Sequence, residues 1–71
     1  MESKLVSPMP GTVISISVEV GDMVSAGQSC AVVEAMKMQN SLTIGRDGKV
    51  KAIHVVPGDK VADEDILIEL E

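Results

Sequence analysis

Phenylalanine, tyrosine and tryptophan are all absent from this chain, which removes the rings on which bases stack and with which sugar or cofactor pockets are lined. One cysteine, Cys30, and one histidine, His54, are present. Neither a disulfide framework nor a Cys/His metal cluster can be assembled from them, and a reducing compartment suits such a chain. Positive charge is also scarce: six Lys and Arg face eleven Asp and Glu, for a formal net charge of −5. A phosphate backbone needs a basic face, so nucleic acid is excluded as a partner. No apolar run approaches the roughly 18 residues of a membrane span. Nor does a charged, apolar and small-residue succession mark a signal peptide. The expectation is a soluble domain with no membrane role. At 71 residues the chain forms a single domain, residues 1–71, whose core supplies no more than about 3–5 kcal/mol of net stability. That leaves little for an enclosed active site, and neither a catalytic residue nor a metal ligand is assigned.

What the chain does contain is a repeat. Offset by 37 residues, Gly11, Val13, Ile16, Val18, Gly21, Asp22 and Val24 meet identical partners in Gly48, Val50, Ile53, Val55, Gly58, Asp59 and Val61. Such self-similarity implies two related units, about 6–34 and 43–71, that bury their apolar faces against each other. The units read as strands. Ile14, Ile16, Val18 and Val20 alternate with Ser15, Ser17 and Glu19, and Ile66, Ile68 and Leu70 alternate near the C-terminus, a period of two rich in β-branched residues. Val13 and Ile16 differ in parity, as do Val50 and Ile53, which implies a bulge or a strand buried on both faces at that step. Ile16 and Val55 are assigned to the inward face. Gly21-Asp22 and Gly58-Asp59 punctuate the strands, because Gly tolerates positive φ and Asp bonds its own local backbone.

The pattern predicts strands near residues 4–7, 11–18, 29–35, 38–44, 48–55 and 66–71, with short extended pieces at Met23-Val24 and Lys60-Val61. Eight short strands pack most economically as an all-β flattened barrel or sandwich of two four-stranded antiparallel sheets with quasi-two-fold symmetry. Lys37 falls where the two halves meet, and that position predicts a hairpin tip. A lysine there is an exposed amine on a four-carbon stem. A two-residue connection fixes its height and direction for an enzyme that must find it. Met36 and Met38 flank it as flexible, polarizable apolar contacts suited to a recognition surface.

Glu34-Ala35-Met36-Lys37-Met38 resembles the attachment signature of the biotinyl domains of biotin-dependent carboxylases. Ser7-Pro8-Met9-Pro10-Gly11 is similar to the strand-to-strand corner that precedes it there, and the two Gly-Asp-x-Val stretches match as well. The similarity covers nearly the whole chain. It implies biotin as a covalent cofactor on Lys37, with Glu34, Ala35, Met36 and Met38 read during modification by a biotin protein ligase. An acyl arm on that amine reaches on the order of 14 Å. Within the family, the run from Glu34 to Thr43, together with His54 and the ending Leu67 to Glu71, is most similar to the propionyl-CoA carboxylase branch. No insertion corresponds to the protruding thumb loop of bacterial acetyl-CoA carboxylase carriers. The resemblance therefore implies a non-catalytic carrier, excised from a larger α chain. It moves a carboxyl group from a biotin carboxylase to a carboxyltransferase. The isolated domain is expected to be monomeric, with a location in the mitochondrial matrix for a eukaryotic source and the cytoplasm otherwise.

Two other readings compete. A lipoyl-type acyl carrier shares the architecture, but lipoyl domains typically place Asp before the lysine and Ala after it, where this chain has Met36 and Met38. An unmodified adaptor of the same fold has no need of a lysine at the tip. A Schiff-base lysine requires burial or cationic neighbours to depress its pKa, and a turn tip offers neither. Cys30 is expected in the core, His54 on a strand surface, and Asp63-Glu64-Asp65 in a solvated loop. Met9 is assigned either to the core or to the surroundings of the modified hairpin.

Overall fold

The β-branched stretches and their Gly-Asp punctuation form eight strands in a computed structural model that describes residues 3–71. Met1 and Glu2, which open the expected domain, lie outside the described residues. The strands are β1 (Lys4–Val6), β2 (Gly11–Ile16), β3 (Met23–Val24), β4 (Ser29–Ala35), β5 (Met38–Thr43), β6 (Gly48–Ile53), β7 (Lys60–Val61) and β8 (Ile66–Leu70). They make two four-stranded antiparallel sheets, ordered β1-β8-β6-β3 and β5-β4-β2-β7. The expected all-β architecture is the observed one. Among the described residues there is no helix, and so none long and apolar enough to cross a membrane.

An offset of 37 carries β2 onto β6, β3 onto β7 and β4 onto β8, so it exchanges the two sheets. Neither half makes a sheet alone. The short strand of each half pairs with the long strand of the other, β7 with β2 and β3 with β6. The turns follow suit: Gly21 N–H donates to the Val50 carbonyl at 2.9 Å, and Gly58 N–H donates to the Val13 carbonyl at 2.8 Å. Both glycines have φ of 97°, a value that L side chains avoid. Asp22 Oδ2 accepts from Glu19 N–H at 2.9 Å and Asp59 Oδ2 from Val56 N–H at 3.0 Å, the local Asx bonding expected of this pair.

Bulges decide which residues face inward. In the β2–β4 ladder Val13 pairs with Val33 and Ser15 with Val32, leaving Ile14 as the extra residue; in β6–β8 the extra residue is Lys51, its repeat counterpart. The parity step between Val13 and Ile16 is therefore a bulge. A second pair sits at Cys30 and Leu67, and each turns two successive residues inward, Cys30 with Ala31 and Leu67 with Ile68. One core joins both sheets, with Val13, Cys30, Val33 and Leu42 from one packed with Val50, Leu67, Ile68 and Leu70 from the other.

Three expectations need correction. Alternation through Val20 fails, because β2 ends at Ile16 and the chain turns before Gly21; Ile14 is 38% and Val20 62% exposed. Likewise β6 ends at Ile53, short of residue 55, and Ile66 faces solvent because the bulge at Leu67 reverses the parity beyond it. Ile16 and Val55 pack against the core but are only half-buried.

Candidate functional site

Only Met36 and Lys37 connect β4 to β5, since Ala35 pairs directly with Met38. Their φ angles are 53° and 64°. Positive φ at both central residues is the requirement of a type I′ turn, whose twist matches that of the strands it joins. Asn-Gly is the usual occupant, because a Cβ in the left-handed region costs roughly 1–2 kcal/mol per residue. Two long side chains held there represent strain that the surrounding structure must support. The hairpin tip expected at Lys37 is thus present, with a twist the local sequence does not favour.

Around the tip the side chains divide by height. Ala35 is buried and anchors the end of β4, while Glu34 and Lys37 are exposed. Met36 is 93% and Met38 64% exposed. Two thioethers standing in water beside an amine form an apolar rim without a core function, a surface suited to contact with another protein.

Residues without an assigned role in the sequence reading hold this hairpin in place. Gly11, at the start of β2, lies against Glu34: an added Cβ would fall 2.4 Å from the Glu34 carbonyl oxygen. Asn40 stands opposite Val33 in the register, and its Nδ2 donates to the carbonyls of Val33 (3.3 Å) and Met38 (3.2 Å). Ser7, fully buried, donates through Oγ to the Met9 carbonyl at 2.6 Å, and its backbone bonds Asp65 and Glu64. Ser7 thereby pins the start of the corner to the Glu64-Asp65 turn, and Gly11 at its other end meets the hairpin at Glu34, with Met9 half-buried between. Gly11 was legible as part of a quoted corner and Asn40 as a polar residue two positions beyond Met38. The approach of Gly11 to Glu34, 23 residues on, was not, nor was the aim of the Asn40 amide at Val33 and Met38.

Elsewhere the chemistry is structural. Cys30 is wholly buried, and burial pushes its thiol pKa upward against a weaker lowering by the Ile44 backbone. His54 Nε2 pairs with Glu69 Oε1 at 2.6 Å on the surface. That hydrogen bond is the main cause that holds the Glu69 carboxyl below its ordinary range. Asp65 Oδ2 accepts from Ala62 N–H at 2.8 Å in an exposed turn. A concavity of about 610 Å³ opens between His54, Asp59, Glu64 and Glu69, and no hairpin residue lines it. Among the described residues no group of three or more His, Cys, Asp or Glu is placed to hold a metal ion.

Comparison with known proteins shows the family. Residues 3–70 match the model of a biotin/lipoyl family described as "Biotin-requiring enzyme". The mitochondrial propionyl-CoA carboxylase alpha chain of Mus musculus is 58% identical over 69 residues, which cover 97% of this chain and 10% of that one. The biotin carboxyl carrier protein of Streptococcus mutans is 47% identical over 64 residues, covering 90% of this chain and 49% of the relative. Among solved structures, the urea carboxylase of Kluyveromyces lactis superposes with a TM-score of 0.89 at 31% identity, over 96% of this chain and 6% of that chain. The chain therefore spans about a tenth of the length of the carboxylase alpha chain it matches.

Proposed function

The chain belongs to this family of biotin-requiring enzymes, and on that premise we propose that it is a biotin carboxyl carrier domain modified on Lys37. One observation carries the reading: a strained two-residue turn lifts Lys37 above the sheet between two exposed methionines. The other lysines, Lys4, Lys49, Lys51 and Lys60, all lie within strands. A lysine offered this way fits amide formation by a biotin protein ligase using biotin and ATP. Attached biotin supplies a ring that takes up and gives up a carboxyl group. The chain's own part is to hold the lysine clear of the fold and lose its charge, which moves the formal net charge from −5 to −6.

The domain acts as a carrier and not as a catalyst. Tethering raises the effective concentration of the carried group at two separate active sites without tight binding at either. Those sites belong to a biotin carboxylase and a carboxyltransferase. The identity to propionyl-CoA carboxylase alpha chains favours an acyl-CoA carboxylase of that type, and their mitochondrial description favours the matrix. The isolated domain is read as a monomer. Ligase treatment followed by tryptic mass spectrometry tests the assignment. Biotin on Lys37 alone is the expected result, and biotin mainly on another lysine overturns it.

A further inference from the structure

We infer that Asn40 is a positioning residue for the attachment lysine, clamping the two strands of the hairpin so that Met36 and Lys37 stay in the tight turn. This rests on the reading of Lys37 as the modified residue. Asn40 lies on β5 opposite Val33, a wholly buried residue, and is itself half-buried. Its single NH₂ group reaches one carbonyl on each strand, Val33 on β4 and Met38 on β5. Met38 is the residue at which the turn closes.

Such a clamp is needed because nothing in the turn's own residues favours it. Met36 and Lys37 both occupy left-handed backbone that non-glycine residues adopt at a cost. A slip to a looser connection relieves that strain, but shifts the register by one and sends each β5 side chain to the opposite face. Lys37 then leaves the tip. Asn40 opposes the slip directly, since its bond to the Val33 carbonyl crosses to β4 and forms only when Val33 faces Asn40, while its bond to the Met38 carbonyl two residues back aims the amide. Aspartate at this position keeps the shape but has no donor when ionised, and sets a carboxylate against two carbonyl oxygens. Leucine keeps the volume and likewise lacks the donor.

The test uses Asn40→Asp and Asn40→Leu, with Ser41→Ala on the same strand as the control; Ser41 is exposed. Two readouts are taken on each folded variant: Cα chemical shifts of Met36 and Lys37 in the unmodified domain, and kcat and KM with a biotin protein ligase. The expected result is that the Asn40 variants lose the left-handed shift signature. Ligase kcat then falls by between about ten- and about a hundred-fold, the scale of a misplacement near 1 Å, with a smaller change in KM. Ser41→Ala matches wild type in both. Asn40→Leu provides the answer if the half-buried carboxylate of Asn40→Asp prevents folding. A folded Asn40→Leu with unaltered turn shifts and wild-type kcat overturns the inference. The shifts are measured without biotin, so failure of wild type to be modified at Lys37 would strike the proposed function alone.

Discussion

Gly11 and Glu34 are in backbone contact: a Cβ on Gly11 would stand 2.4 Å from the Glu34 carbonyl oxygen and 2.7 Å from Val33 Cγ1. Thr12, the next residue, pairs with Glu34 in the β2–β4 ladder. The approach occurs one residue before Ala35, where the hairpin begins to turn. Gly48 holds the same place in the other half, but a Cβ there meets only side-chain ends, Arg46 at 3.0 Å and Leu70 at 3.1 Å. Backbone cannot move aside as a flexible side chain does, so the two equivalent glycines differ in what they permit.

Gly11→Ala is accordingly expected to cost about 1–3 kcal/mol, the range for forced overpacking, and to slow modification of Lys37. Gly48→Ala should cost less, because its Cβ would stand 3.0 Å from Arg46 and 3.1 Å from Leu70, side-chain atoms that need give only a few tenths of an ångström even with Arg46 bonded to the Asp47 and Glu71 carbonyls. Urea unfolding of both variants checks the difference. Equal costs would show that the contact at Glu34 relaxes as easily as the one at Arg46.

Strain in the turn has a measurable counterpart. Replacing Met36-Lys37 by Asn-Gly suits the positive φ at both positions and is expected to raise the unfolding free energy by about 1 kcal/mol while removing the Lys37 amine. Thermal or denaturant melts decide it. A less stable variant would mean that the methionine and lysine side chains support the fold in a way their exposure does not suggest.

The bulge in β2 makes neighbouring residues respond oppositely. Val13 is 1% exposed and Ile14 is 38% exposed. Val13→Asp buries an unpaired charge and is expected to lose at least about 3 kcal/mol, enough to unfold so small a domain. Ile14→Asp should stay folded by circular dichroism. If both variants unfold, the bulge does not turn Ile14 outward in solution.

Glu69 supplies a pH dependence of definite sign. Its folded carboxyl lies below the ordinary range, chiefly through the His54 hydrogen bond. A depressed carboxylate pKa stabilises the fold above the unfolded value, and that contribution is lost as pH falls through the folded value. Stability should therefore decline on acidification below the usual carboxylate range, and Glu69→Gln should flatten that decline. Melts at a series of acidic pH values compare the two; identical slopes would show that the His54–Glu69 pair does not persist in solution.

Much of this arrangement was legible in the chain. The 37-residue self-similarity located the strands to within two residues, the parity step at Val13 and Ile16 announced either a bulge or a strand buried on both faces, and the repeat junction put Lys37 at a tip. These signals are local: a period of two, a glycine beside an aspartate, a break between two similar runs. Ile14 and Val20 were misassigned because alternation holds only while a strand continues without an extra residue, and the register of the partner strand decides where that residue falls.

By itself, then, the sequence determined the strand content, the turn residues, and the place of Lys37 at a hairpin tip beside its methionine neighbours, all of which depend on residues adjacent in the chain or on its repeat. Only the tertiary structure decided that each half completes the other's sheet, through β7 on β2 and β3 on β6. It also decided that Met36 and Lys37 take left-handed backbone, that Gly11 lies against Glu34, and that the Asn40 amide reaches the carbonyls of Val33 and Met38. The sheet exchange and the Gly11 approach follow from close packing between segments distant along the chain, and the turn follows from the strand pairing that closes it, against the preference of its own two residues.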